Sequence, residues 1–387
     1  MTLRVYIQKG VILLLLCLLG TVALGIPTRA EESEPAETLP FPEDEFRVFL
    51  ESIPEEILEH LPPELFSITR DGISDATQEM SGFSYLLTAV LSALETRLGD
   101  CLGLLATTVG LLLLCALCRH LCQGGRGGEA FSFCASLLLL SGLMTRGLEG
   151  LRRTVTYFST LTQITAGILP LLSVLYALGG NLTVATASTA GLSVYMTLLE
   201  EWVGQTILPF CACCLVFSML QALHPALRMG TLLISVKKNY TTLLAFLMML
   251  LLAMLSAQTV LGARNDTLLM RSAKFAAGNL IPVVGGSVAE LLRSVSAGVG
   301  YLRGTVGICA VLLLLFTLLP TLIELFLIRL TWQISAAVAD LLGCDGEKKL
   351  LEEFASLNGY LLAAVCICSS VLVLSVCLLI HSAAAIG

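Results

Sequence analysis

Seven stretches of this chain are apolar runs near the roughly 20 residues that a helix needs to cross a bilayer. They are Cys101–Cys118, Ala130–Thr145, 161–180, 202–223, Tyr240–Gly262, Gly304–Ile328 and 357–380. Nothing else in the sequence limits the fold as strongly. In hydrocarbon no water satisfies a backbone N–H or C=O, so each run must close its own hydrogen bonds as a helix. Composition agrees: 56% of residues are hydrophobic and 13% are charged, against about a quarter charged in a soluble domain. The predicted class is all-α, a polytopic membrane protein with seven helical spans, or eight if the segment 276–300 crosses fully. The weaker stretch 182–200, rich in Thr, Ser and Ala, suits a helix packed inside the bundle.

The chain before the first span is of another kind. Residues 1–30 read as a signal peptide or N-terminal anchor, with Arg4 and Lys9 ahead of the apolar Val11–Leu19 and small residues at Ala23, Gly25 and Ala30. Residues 31–66 form an acidic, Pro-rich arm, expected on the extracytoplasmic side. Residues 31–64 hold twelve Asp or Glu and one basic residue, Arg47, so the formal charge of −7 belongs to the arm and the remainder is positive. Such a composition predicts an extended or loosely helical arm with no core of its own. Residues 67–100, with Phe83, Leu86, Leu87, Val90, Leu91 and Leu94 on one side, predict an amphipathic helix on the membrane surface. The polytopic domain is 101–387. No basic stripe is present, which argues against nucleic acid as a partner. Membrane lipid is the expected environment.

The positive-inside rule places Arg119 and Arg126 in the cytoplasm after the first span. Four further spans, with the weaker stretch 182–200 counted as one, return Arg228, Lys237 and Lys238 to the same side. Arg152 and Arg153 are left outside, against the rule.

Catalytic signatures are missing from the sequence: no G-x-x-x-x-G-K-[ST], no H-E-x-x-H, no G-x-S-x-G. Neither an enzyme activity nor a cofactor is expected. Most of the fourteen cysteines lie in apolar runs, where cysteine packs as a small hydrophobe. The group Cys115, Cys118, His120 and Cys122 fits no standard zinc spacing, so no metal is expected.

Two features remain. Glu324 interrupts the run Gly304–Ile328, and an intramembrane carboxylate faces a bundle interior or a water-filled path unless it sits shallow. A shallow Glu324 would pair with Arg329, but five residues is poor spacing for one helix face. The second feature is Arg271–Glu290, reading RSAKFAAGNLIPVVGGSVAE. Gly278, Pro282, Gly285 and Gly286 break regular helix, and broken backbone at membrane depth survives only inside protein or along a cavity. This predicts a re-entrant segment or, less demandingly, an interfacial loop. Pro170 and Pro282 lie 112 residues apart, and Pro209 and Pro320 lie 111 apart. Such doubling is found in transporters whose broken helices form a midplane site.

The segment Ser272–Val288, with Lys274, Phe275, Gly278, Asn279, Pro282, Gly285 and Gly286, resembles the most characteristic segment of the stage III sporulation protein AE family. Leu280 stands where an aromatic residue is expected. The order of export signal, acidic arm, spans, motif and two terminal spans is similar too. The resemblance implies a non-enzymatic subunit of a channel-like, secretion-like complex joining mother cell and forespore during endospore formation. This subunit would be permease-like and lie in the multi-pass mother-cell membrane around the forespore. Its partners would be other stage III sporulation A proteins, including an ATPase. The competing expectation is a self-sufficient secondary transporter with a midplane site near Glu324.

Overall fold

The computed structural model describes residues 41–58, 61–121, 127–178, 182–223, 231, 233–254, 256–257 and 285–384. Among them every regular element is helical. We number the longer helices α1 Glu43–Glu51, α2 Arg70–Ser81, α3 Phe83–Leu121, α4 Gly127–Leu178, α5 Leu182–Thr197, α6 Gln205–Leu223, α7 Leu233–Met254, α8 Gly285–Leu341 and α9 Asp345–Ala384. Five stretches are long and apolar enough to cross a membrane: Ser84–Cys118, Glu149–Ala177, Leu233–Met254, Gly304–Leu341 and Asp345–Cys377. The count of seven to eight is not reached among the described residues. One reason is plain: α4 runs unbroken through both 130–145 and 161–177, so two expected spans are one 52-residue helix, about 78 Å long.

Several hydroxyls inside these apolar helices are satisfied locally. Thr154, Thr165, Thr317, Thr331 and Ser375 each donate to the carbonyl four residues back, which lets a polar side chain sit in a buried helix.

The centre of the molecule is the antiparallel hairpin of α8 and α9. Its turn ends α8 with Gly343 at φ +67, and Cys344 N–H donates to Ala339 O while Gly343 N–H donates to Asp340 O. This paired closure needs a left-handed residue, which glycine supplies. Leu312, Leu313, Leu361, Val365 and Leu372 fill the contact between the two helices. On its flanks Tyr157 of α4 shares a hydrogen bond with Ser369, and Tyr195 of α5 donates to Cys368 O. Helix α5 is thus packed within the bundle, with Leu192 and Tyr195 buried.

Two sequence expectations are corrected here. The acidic arm was expected to be coreless, but α1 buries Phe46, Phe49 and Leu50 at i, i+3 and i+4. It uses the bundle as its core: a Cβ at Gly167 of α4 would stand 2.7 Å from Ser52 Cβ and 3.3 Å from Phe49 Cα. Only a glycine admits the arm at that depth. The second correction concerns 67–100. The helix breaks at Gly82, in extended conformation, and not near residue 100. From Phe83 onward α3 is continuous with the first span, and Tyr85 packs edge-on against Phe316 of α8. That stretch is part of the bundle, not a separate surface helix.

Candidate functional site

Helix α8 carries Glu324 one turn after Pro320, which sits inside the helix. The carboxylate reaches two other helices. Arg153 of α4 donates from Nη1 to Glu324 Oε1 at 2.5 Å, and Arg97 of α3 brings Nη1 to 3.7 Å from Oε2. Arg153 also donates from Nη2 to Glu149 Oε1 at 3.2 Å, one helical turn away. Glu324 is only 13% exposed, while Arg153 is about half exposed. Asp100, Cys101, Leu104 and Trp332 close the group around a space of about 60 Å³, which is water-sized and too small for an organic substrate.

Both carboxylate oxygens of Glu324 are thus engaged by cations from different helices. Charge-assisted bonds of this type are the strong ones, and removing an arginine leaves the mostly buried Glu324 carboxylate less well compensated. The arrangement is a brace across α3, α4 and α8. Arg329 takes no part in it. A Cβ at Gly359 of α9 would lie 3.1 Å from Arg329 Cζ, so that guanidinium lies against α9.

A second ion pair lies toward the hairpin turn. Lys237 of α7, 1% exposed, donates from Nζ to Glu353 Oε2 at 2.6 Å and stands 5.9 Å from the centre of the Tyr360 ring. On the same side Lys348 donates to Asp340 Oδ1 at 2.6 Å. In the sequence, Lys237 and Arg153 serve only as orientation signals. Arg153 had one visible clue, the Glu149–Arg153 spacing of four. Its 171-residue separation from Glu324 carries no local signal.

Of the motif residues, Lys274, Phe275, Gly278, Asn279 and Pro282 lie outside the described residues, as does the expected break itself. Gly285 and Gly286 open α8 as its first two residues. Cys115 is buried, Cys122 lies outside the description, and among the described residues no group of three or more His, Cys, Asp or Glu is arranged to hold a metal.

Long apolar helices tied by ion pairs between helices define a helical membrane protein, and comparison with known proteins narrows the class. The chain belongs to the stage III sporulation protein AE family, whose model, described as Stage III sporulation protein AE (spore_III_AE), matches residues 67–383. It is 23% identical over 302 residues to the stage III sporulation protein AE of Bacillus subtilis (strain 168), covering 77% of this chain and 73% of that protein. The family name is that of a sporulation protein and names no enzyme. No solved structure matches the chain.

Proposed function

We propose that this protein is a non-enzymatic, permease-like subunit of a channel complex between mother cell and forespore. In this reading it is a multi-pass protein of the mother-cell membrane around the forespore. Other stage III sporulation A proteins are its partners, an ATPase among them supplying the energy. The observation that carries the reading is the family match across residues 67–383.

Assembly with other proteins, over a self-sufficient transporter, is favoured by Glu324: a carboxylate closed between two arginines around a space of about 60 Å³ offers no substrate site.

Deleting the gene is expected to leave vegetative growth unchanged and to arrest sporulation during or after engulfment. Affinity purification from sporulating cells is expected to recover other stage III sporulation A proteins. Normal spore yield in the deletion strain, or purification of the chain alone from sporulating membranes, overturns the reading.

A further inference from the structure

Helix α4 and the stretch from α5 to α6 present a polar wall on the side of the bundle that faces away from α9. We propose that this wall is the contact face between two copies of this chain, related by a two-fold axis along the membrane normal.

Periodicity builds the wall. Tyr157 of α4 and Tyr195 of α5 turn inward to neighbouring residues of α9, Ser369 and Cys368. On the outward side of α4 stand Arg152, Thr156 and Ser159, spaced four and three residues apart and all exposed. On the outward side of the neighbouring helix stand Ser193, Thr197 and Glu201, spaced by four and exposed too. Glu201 lies in the π-helical turn Leu198–Gly204 that joins α5 to α6.

Depth limits what covers this wall. Cys368 is at the middle of the apolar run 357–380. From Tyr195 the helix descends toward the hairpin turn: the Thr206 hydroxyl meets that of Tyr240, three residues from Lys237, and Lys237 holds Glu353. Glu201 is six residues along this descent, about 8 Å from the level of Tyr195, against a hydrocarbon half-thickness of about 15 Å. An arginine reaches the headgroups from there by its long stem. A glutamate does not. Its carboxylate takes a hydrogen bond from Gln205, a neutral side chain on the same helix, so the charge itself calls for protein or water beyond the wall. The hydroxyls alone would tolerate lipid, since Thr156 and Thr197 donate within their own helices. Where the bundle meets lipid its surface is of another kind: α7 exposes Leu243, Phe246, Met249 and Leu250.

Charge selects the occupant. Arg329 of α8 lies against Gly359 of α9, so α4, passing from Arg153 at Glu324 to Tyr157 at Ser369, runs away from the turn. It is antiparallel to α5. Arg152 is five residues below Tyr157 and Glu201 six below Tyr195, so the two are level. Thr156 is level with Thr197 in the same way, and Ser159 with Ser193. A half-turn about the membrane normal keeps every depth and exchanges left for right. It therefore sets α4 of each copy against α5 and α6 of the other, with Arg152 facing Glu201 twice and hydroxyls facing hydroxyls between them. The face is complementary to itself, as an isologous contact requires, and its small residues admit close approach of helices. A partner of one sign would leave one of the two charges opposed.

The test uses full-length protein without native cysteines, as a Thr156→Cys variant and a Thr197→Cys variant, produced separately and together in one membrane and then oxidised. The mixture should give a disulfide-linked dimer, and each variant alone should not, because the axis keeps identical positions apart. Introducing Arg152→Glu or Glu201→Arg into both copies should cut the linked fraction about tenfold, within the range for coupled charges. Both changes in one chain should restore it, which separates a lost contact from a misfolded chain. The readout concerns this chain alone and is independent of the channel reading. Absence of the dimer from the mixture overturns the proposal, as does a charge-exchanged double variant that stays unlinked. So does a link to another polypeptide, or labelling of Thr197→Cys by a water-soluble maleimide in the membrane, the mark of a water-filled path.

Discussion

At the scale of single residues, Glu324 matters because of where its partners come from. Arg97 and Arg153 belong to two helices that have no turn of chain in common with α8, so their bonds to Glu324 fix the rotation of α3 and α4 about their own axes. Leucine in place of Glu324 would leave two guanidiniums facing an apolar side chain, whereas glutamine keeps an acceptor oxygen. Denaturant unfolding of the purified protein is expected to rank parent, Glu324→Gln and Glu324→Leu in falling stability. The loss for leucine should be roughly 1.5–3 kcal/mol, the range for hydrogen bonds to charged groups. A cycle of Arg153→Gln, Glu324→Gln and the double variant should return a coupling of roughly 0.5–3 kcal/mol. Strictly additive losses would mean that the two side chains meet without holding the helices together.

At the scale of elements, α1 shows how an acidic segment becomes ordered. Glu43, Asp44 and Glu45 stand in its first turn, where carboxylates favour the helix dipole. Phe46, Phe49 and Leu50 then face the bundle, and Gly167 lets the arm's backbone come close. Gly167→Val should push the arm away at a cost of roughly 1–3 kcal/mol, typical of overpacking. Limited proteolysis is the measurement: cleavage within 43–58 should quicken while the rest of the protein resists as before. Equal protection in the variant would detach α1 from any dependence on Gly167. This element also marks the limit of reading the sequence. Apolar runs such as Gly304–Ile328 and 357–380 were legible because hydrocarbon forces helix on them. The arm's order was not, since Phe46 and Phe49 find their core on a helix more than a hundred residues later. Runs 130–145 and 161–180 misled for a related reason. Arg146, Arg152 and Arg153 look like a loop between spans, but Arg153 points at Glu324 from inside one helix. The same pairing removes Arg153 from the count of orientation signals, while the merging of two expected spans into α4 takes away one of the crossings on which the positive-inside count rested. Glu324 was found from its cost in an apolar run; the partners that meet that cost had no sequence signature except the Glu149–Arg153 spacing.

At the scale of the whole molecule, the arm and the basic residues lie at opposite ends. Tyr157 meets Ser369 and Arg329 lies against Gly359, so passing up α4 from Arg153 to Gly167 moves away from the hairpin turn. Gly167 is 14 residues, about 21 Å, beyond Arg153, and there the acidic arm docks. In the other direction lie Lys237, Lys238, Lys348 and Lys349, near the turn at Gly343. Basic residues tend to remain in the cytoplasm, so the turn is expected on the cytoplasmic side and the arm on the outer side. Two single cysteines, each placed in a variant whose native cysteines have been replaced, test this. Val48 on α1 is half exposed, and Leu341 at the turn is 87% exposed, so neither site is hidden from a reagent by the protein itself. When the protein is produced in vegetative cells, a membrane-impermeant maleimide should label the Val48→Cys variant in intact cells. The Leu341→Cys variant should label only after lysis. The reverse pattern would turn the molecule over in the membrane. Labelling of both in intact cells would mean that α8 and α9 do not separate the two sides at all.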